Sequence, residues 1–211
     1  MDVMQLRRSL LMQQSGGLPG AYQKVNYIQS DGNAYLDTEI VISDAVNANV
    51  YLQYELVKSF SHIMLFSNIK KDISFEYRYG YRAYVRFGYW YAMYVCNFDN
   101  LGSTLNVIHT VTQNTDNKLE MDGVISDTLR DNTNESPASS LYLFAGNTLN
   151  GANEIADGCR IYQCKIYDNG ALVWNGIPCV RISDDKPGMY DTVSKTFYAN
   201  AGTGEFIVPS T

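Results

Sequence analysis

The chain has 211 residues, 45% hydrophobic, 18% charged and 13% aromatic, which suits one globular domain of sandwich size and argues against intrinsic disorder. Sixteen Lys and Arg against 22 Asp and Glu give a net charge of −6, which argues against a global electrostatic grip on nucleic acid or anionic lipid. No apolar run approaches the length of a bilayer span, and 17 Tyr and 16 Gly beside only two His point to pleated surfaces and turns, hence to an all-β chain.

Residues 1–14 differ from all that follow. Val3, Met4, Leu6, Leu10 and Leu11 recur at helical spacing between polar residues, predicting a short helix that needs a surface to pack on. Either it folds back on its own domain or it serves as an attachment or oligomerisation peptide. Residues 15–20, Ser-Gly-Gly-Leu-Pro-Gly, stop the helix and read as a hinge, leaving 21–211 as the main domain. Arg7 and Arg8 precede too short an apolar group for a secretion signal.

From Ala21 the period is two. Val46, Ala48, Val50, Leu52, Tyr54 and Leu56 alternate with polar partners, predicting a strand with one buried face. Leu105, Val107, His109 and Val111 continue that pattern. Asp122-Gly123 suits a two-residue type I′ hairpin turn within 118–125. Residues 140–145 are apolar on both faces and predict a central strand. Arg160 to Tyr167 and Ala171 to Trp174 form a second hairpin around Asp168-Asn169-Gly170, and turn clusters at 114–117, 131–135 and 183–188 separate the runs. Many short strands at this spacing imply two packed sheets or a barrel.

Cys96, Cys159, Cys164 and Cys179 form no CxxC pair, and buried free thiols made in a reducing cytoplasm are the reading preferred over disulfides. Cys159 and Cys164, five apart on one strand, are expected on opposite faces. Zinc is not expected, because His62 and His109 stand alone in the sequence.

Two segments resemble a known family. Tyr27-Ile-Gln-Ser-Asp-Gly-Asn-Ala-Tyr-Leu-Asp-Thr38 is one. The other runs Arg160-Ile-Tyr-Gln-Cys-Lys-Ile-Tyr-Asp-Asn-Gly-Ala-Leu-Val-Trp174, then Pro178, Pro187-Gly-Met-Tyr-Asp191 and Phe197-Tyr-Ala-Asn-Ala-Gly-Thr-Gly-Glu-Phe206. Together they are similar to the opening and closing strands of concanavalin A-like, laminin-G-like jelly rolls, common in bacteriophage tail, fibre and other virion proteins; the leader 1–12 resembles leaders of that group. The resemblance implies a jelly-roll sandwich of two antiparallel sheets with a short N-terminal helix. It further implies a virion structural protein, a homo-oligomer with a trimer favoured, held to another virion protein through its N-terminus and displaying a domain for host-surface glycan.

These motif residues also have a physical reading. Pro187-Gly188 and Ala201-Gly-Thr-Gly204 would allow chain reversals, and Asp191 could accept backbone hydrogen bonds in the turn after Tyr190. Trp174 reads as core, with Asn175 beside it a lesser candidate for a ligand surface.

Catalysis is not expected. Glycosidases of this fold class carry Glu-x-Asp-x-x-Glu on one strand, and Glu120-Met-Asp122-Gly-Val-Ile125 lacks the last carboxylate, while Glu55 and Glu76 have no partner at a useful spacing. The strongest local anomaly is an aromatic block between positions 75 and 98. Tyr77, Tyr79, Tyr81, Arg82, Tyr84, Arg86 and Trp90 form the candidate ligand surface, since Tyr and Trp stack on sugars and arginines meet acidic groups. The same composition suits a protein interface or ordinary sheet packing. No cofactor is required. The resemblance admits calcium, for which Asp116, Asp131 and Asp184, with neighbours Asn117, Asn132 and Asp185, supply oxygens without a recognised loop pattern. The expectations are a non-catalytic glycan-binding virion module, a purely structural fibre or decoration subunit whose aromatic face is an interface, and a glycoside hydrolase with a non-standard site.

Overall fold

Along Asn49–Leu56 the side chains of Val50, Leu52, Tyr54 and Leu56 are buried, while Asn49, Tyr51 and Gln53 stay half-exposed on the other face. Burial of one face of such strands is the driving force for the whole architecture. The computed structural model describes residues 18–43, 48–59, 62–68, 73–78, 82–87, 94–95, 105–113, 119–125, 139–148 and 150–209; for Ile73, Tyr77, Arg78, Arg82–Phe87, Tyr94, Val95, Gln113 and Leu119 the backbone alone is described. The expected helix over 1–14 lies outside these residues.

The strands run β1 (Tyr22–Lys24), β2 (Ile28–Ser30), β3 (Leu36–Val41), β4 (Asn49–Leu56), β5 (His62–Ser67), β6 (Ile73–Arg78) and β7 (Arg82–Phe87). They continue with β8 (Tyr94–Val95), β9 (Ile108–Gln113), β10 (Leu119–Met121), β11 (Val124–Ile125), β12 (Ser140–Leu143), β13 (Gly146–Thr148) and β14 (Gly151–Asn153). The last are β15 (Cys159–Asp168), β16 (Ala171–Arg181), β17 (Lys186–Asp191), β18 (Thr196–Ala199) and β19 (Phe206–Ile207). Among the described residues there is no helix, and so none long and apolar enough to cross a membrane.

Two large antiparallel sheets result. The larger has the order β11-β10-β9-β4-β15-β16-β17-β18, with β1 beside β16 and β2 joining β15 to β19. The smaller has the order β3-β12-β5-β6-β7-β8, and β13 pairs with β14 apart from both. One core draws on both sheets: Leu52, Tyr54, Ile161, Ile166, Trp174 and Met189 from the larger meet Leu36, Leu65, Phe66, Phe75, Leu141 and Leu143 from the smaller. Tyr54 and Phe75 touch edge to face across the gap, with ring centroids 5.7 Å apart. Two antiparallel sheets over a shared core are the arrangement of a β-sandwich.

The turns follow their residues. Asp122 and Gly123 have φ of 50° and 79°, and Asn169 and Gly170 of 48° and 77°, the two positive angles that a type I′ hairpin requires. β12 is internal to its sheet, between β3 and β5, as its apolar sequence predicts. Asp191 is fully buried and accepts hydrogen bonds from the backbone N–H groups of Asn175 (2.7 Å), Val193 (3.0 Å) and Ser194 (2.8 Å), binding the β17–β18 turn to β16. Trp174 is fully buried in the core.

Three expectations need correction. Val107 precedes β9 and is 44% exposed, so the alternating pattern holds for His109 and Val111 but begins later than expected. Pro187-Gly188 lies inside β17 and is no reversal. Gly188 is needed there because a Cβ would sit 2.2 Å from the Tyr198 carbonyl oxygen of the adjacent strand β18. Cys159 and Cys164 are on the same face. In the pairing of β15 with β4, Ile161 faces Tyr54 and the next partner of Gln53 is Gln163, so Tyr162 is an extra, bulged residue. The bulge resets the alternation, and both cysteines point into the core. Cys159, Cys164 and Cys179 are free and buried, and burial drives their thiols up, that of Cys179 to about 12; Cys96 lies outside the described residues.

A smaller apolar cluster lies on the other face of the larger sheet. Leu18, the first described residue, is buried there with Cys179 and Tyr190, with Tyr22, Ile177 and Phe197 around them. Tyr22 donates its N–H to the Pro19 carbonyl (3.0 Å), so the end of the expected hinge 15–20 is a turn anchored to the domain.

Candidate functional site

The two segments that carry the family resemblance lie against each other. β19 pairs with β2 through Phe206 and Ser30, and Ala201 and Gly204 donate their N–H groups to the carbonyls of Tyr35 and Asn33. Asn200 accepts from the Tyr35 N–H (3.1 Å). Asp31 accepts from the N–H groups of Asn33 (2.8 Å) and Glu205 (2.9 Å). This junction is backbone scaffold and leaves few side-chain groups for a ligand.

The outer face of the larger sheet is different. There the bulge in β15 turns Tyr162 and Gln163 outward beside Arg160, against Gln29 of β2 and Glu55 of β4. Glu55 is only 7% exposed and is held by Arg160 Nη1 (3.1 Å) and by the Tyr162 hydroxyl (2.5 Å), which donates to the same carboxylate oxygen. Arg160 Nε donates to Gln29 Oε1 (2.8 Å), and its guanidinium lies 4.4 Å from the centroid of the Tyr27 ring, which meets Tyr162 edge-on at 5.5 Å. Burial, then the hydrogen bond to Glu55, push the Tyr162 phenol up to about 12. One strand register along, Lys165 pairs with Tyr51 and holds its ammonium 5.7 Å from that ring, while Gln53 faces Gln163. Half-exposed tyrosines flanked by guanidinium, ammonium and amide groups can stack on a sugar ring and hydrogen-bond its hydroxyls.

Sequence reasoning missed this surface because its residues come from β2 and the residue before it, β4 and β15. Glu55, set aside for lack of a neighbour at useful spacing, finds Arg160 and Tyr162 more than a hundred residues away. The cue present in the sequence was the density of Tyr, Gln and Arg at the outward positions of the end segments.

Of the predicted ligand block, Tyr77 lies on β6 and Arg82, Tyr84 and Arg86 on β7, described by their backbone; Tyr79, Tyr81 and Trp90 lie outside the described residues. The register sets Glu76 opposite Tyr84 and Ser74 opposite Arg86, so these strands are adjacent near one edge of the smaller sheet. Phe75, in the same block, is fully buried against Tyr54 and Phe66 and belongs to the core. The attachment residues Val3, Met4, Leu6, Leu10 and Leu11 lie outside the described residues, as do Asp116 and Asp131. Asp184, the remaining calcium candidate, is gripped by Arg181 through two hydrogen bonds of 2.8 and 2.7 Å, which holds its carboxyl below the usual range and occupies both oxygens.

The histidines do not stand alone, which corrects the sequence expectation. His109 Nδ1 lies 2.7 Å from Asp122 Oδ2, whose other oxygen accepts the Thr110 N–H (2.7 Å), so the nearest match to a glycosidase carboxylate latches the β10–β11 turn onto β9. His62 meets two carboxylates: Nε2 is 3.0 Å from Glu76 Oε2 and Nδ1 is 3.1 Å from Glu154 Oε1. These three are a set of His and acidic side chains, among the described residues, whose donor atoms lie close enough together to share an ion.

Compared with known proteins, the chain matches no family model and no curated protein.

Proposed function

We propose that this chain is a non-catalytic β-sandwich binding module of the concanavalin A-like, jelly-roll kind. In this reading it is a virion structural protein of fibre or decoration type, attached through its N-terminal segment, oligomeric, and presenting a face for host-surface glycan. The observation that carries the binding half is the outer face of the larger sheet, where Tyr27, Tyr51 and Tyr162 lie among Arg160, Lys165 and Gln163 with their rings half-exposed. Several such faces on one particle would gain avidity from effective concentration even if each bound weakly. The virion assignment rests on the resemblance of the two end segments.

The test is binding of the purified chain to a bacterial glycan array and to whole host cells. A Tyr27→Ala/Tyr51→Ala variant, with its fold checked by circular dichroism, is compared with wild type and with a Tyr77→Ala/Tyr81→Ala/Arg82→Ala variant. Binding weakened about tenfold or more by the first variant, roughly 1.4 kcal/mol, is the expected result. Loss confined to the second variant would move the ligand to the aromatic block. Absence of binding by the assembled oligomer would overturn the glycan reading in favour of a purely structural subunit.

A further inference from the structure

We propose that His62, Glu76 and Glu154 form a binding site for one divalent transition-metal ion, with zinc as its best-matched probe. The three residues come from separate parts of the chain: the start of β5, the middle of β6 and the residue after β14. Nothing in local sequence requires them to meet. One donor atom from each lies within 4.8 Å of the others, near enough for small side-chain movements to bring all three onto one ion bound at about 2.1 Å. The two direct contacts, of 3.0 and 3.1 Å, leave His62 from different ring nitrogens, and the ion would replace one of them. One imidazole nitrogen and two carboxylate oxygens are borderline and hard donors, a set that suits zinc or manganese over a soft ion.

The burial pattern is that of a site with an open side. Glu76 has no exposed side-chain surface, whereas His62 and Glu154 are each 23% exposed. In the structure His62 lies beside this carboxylate at 3.0 Å, and an ion would add to the positive charge there. The ion would reach it past His62 and Glu154, keeping a coordination position for water.

Glu154 is also held in place by the backbone. Its φ is +53°, a left-handed conformation that is unfavourable for a non-glycine residue. The Asn153 side chain accepts its N–H at 2.8 Å, and its carbonyl accepts the Met64 N–H at 3.0 Å, which ties the residue over β5.

The experiment is isothermal titration of the chelator-treated full chain with zinc chloride near pH 7. One ion per chain is expected. Glu76→Gln and Glu154→Gln, each checked by circular dichroism, should each weaken binding about a hundredfold. Glu154→Gln keeps the test decisive should the Glu76 variant fail to fold, because Glu154 is partly exposed. No uptake of zinc or of manganese by the wild-type chain would overturn the site, as would uptake that both folded variants retain undiminished.

Discussion

At the junction of the chain ends Asp31 and Asn200, and within the closing strands Asp191, direct their side-chain oxygens at backbone N–H groups. On the outer face of the larger sheet and beside β5, Glu55, Glu76 and Glu154 instead meet other side chains: Arg160, Tyr162 and His62. The same acidic chemistry thus serves two ends. A carboxylate that satisfies backbone donors fixes the path of the chain, and removing it leaves those donors orphaned. A carboxylate paired to side chains from other strands fixes a constellation that can exchange its partner for a ligand. The junction specifies fold, and the side-chain clusters are where chemistry is open to change.

The sharpest way to break this distinction is at Asp191. Asp191→Ala would remove the buried carboxylate that holds three backbone N–H groups of β16 and the β17–β18 turn, for an expected loss of about 3 kcal/mol in urea denaturation. Asp191→Asn, with its oxygen at the position that accepts from Asn175 and Val193, should lose roughly half as much. The affinity for zinc should stay unchanged in whatever fraction remains folded. A loss under about 1 kcal/mol from Asp191→Ala would mean that Asp191 does not hold the closing strands as described.

Tyr162→Phe probes the other side of the comparison. It removes one donor to Glu55 and leaves Arg160 in place, so the expected cost is about 1 kcal/mol by the same measurement. A cost equal to that of Asp191→Ala would make the outer-face cluster as structural as the junction and would weaken its claim as a ligand surface.

What could be read from the sequence was whatever depends on neighbours along the chain. The alternation of Val50, Leu52, Tyr54 and Leu56, the type I′ turns at Asp122-Gly123 and Asn169-Gly170, and the acceptor role of Asp191 all follow from local period or local backbone conformation. The bulge at Tyr162 was invisible to a strict period of two. One extra residue reversed the expected relation of Cys159 and Cys164, and also turned Tyr162 outward beside Arg160. The partners of His62 were hidden for a different reason. Glu76 reaches it through the β5–β6 pairing, but Glu154 arrives through a contact of the segment after β14 with Met64, which no spacing rule anticipates. Gly188 shows a residue type correctly marked as special for the wrong cause. Its requirement is the approach of β18, a tertiary fact, where a turn was expected.

The smallest predicted effect concerns Asp31 and tests whether the junction is held by charge as well as by geometry. Its limited burial acts to raise the pKa, and the backbone N–H groups of Glu205, Asn33 and Ala34 outweigh this, so the folded value lies below the ordinary 3.8. A carboxyl depressed by folding contributes stability that is fully present above its unfolded pKa and is lost as pH falls through the folded one. Asp31→Asn should therefore lower the urea midpoint slightly at about pH 6, and the gap from wild type should narrow as pH falls below the ordinary 3.8. Because the carboxylate is near solvent, salt and water screen it, and the effect should stay well below that of Asp191→Ala. A gap that persists unchanged to the lowest pH would show that the Asp31 oxygens act there as neutral acceptors. The junction would then rest on hydrogen-bond geometry alone, with the Asn200 amide and Gly204 carrying it equally well at any pH.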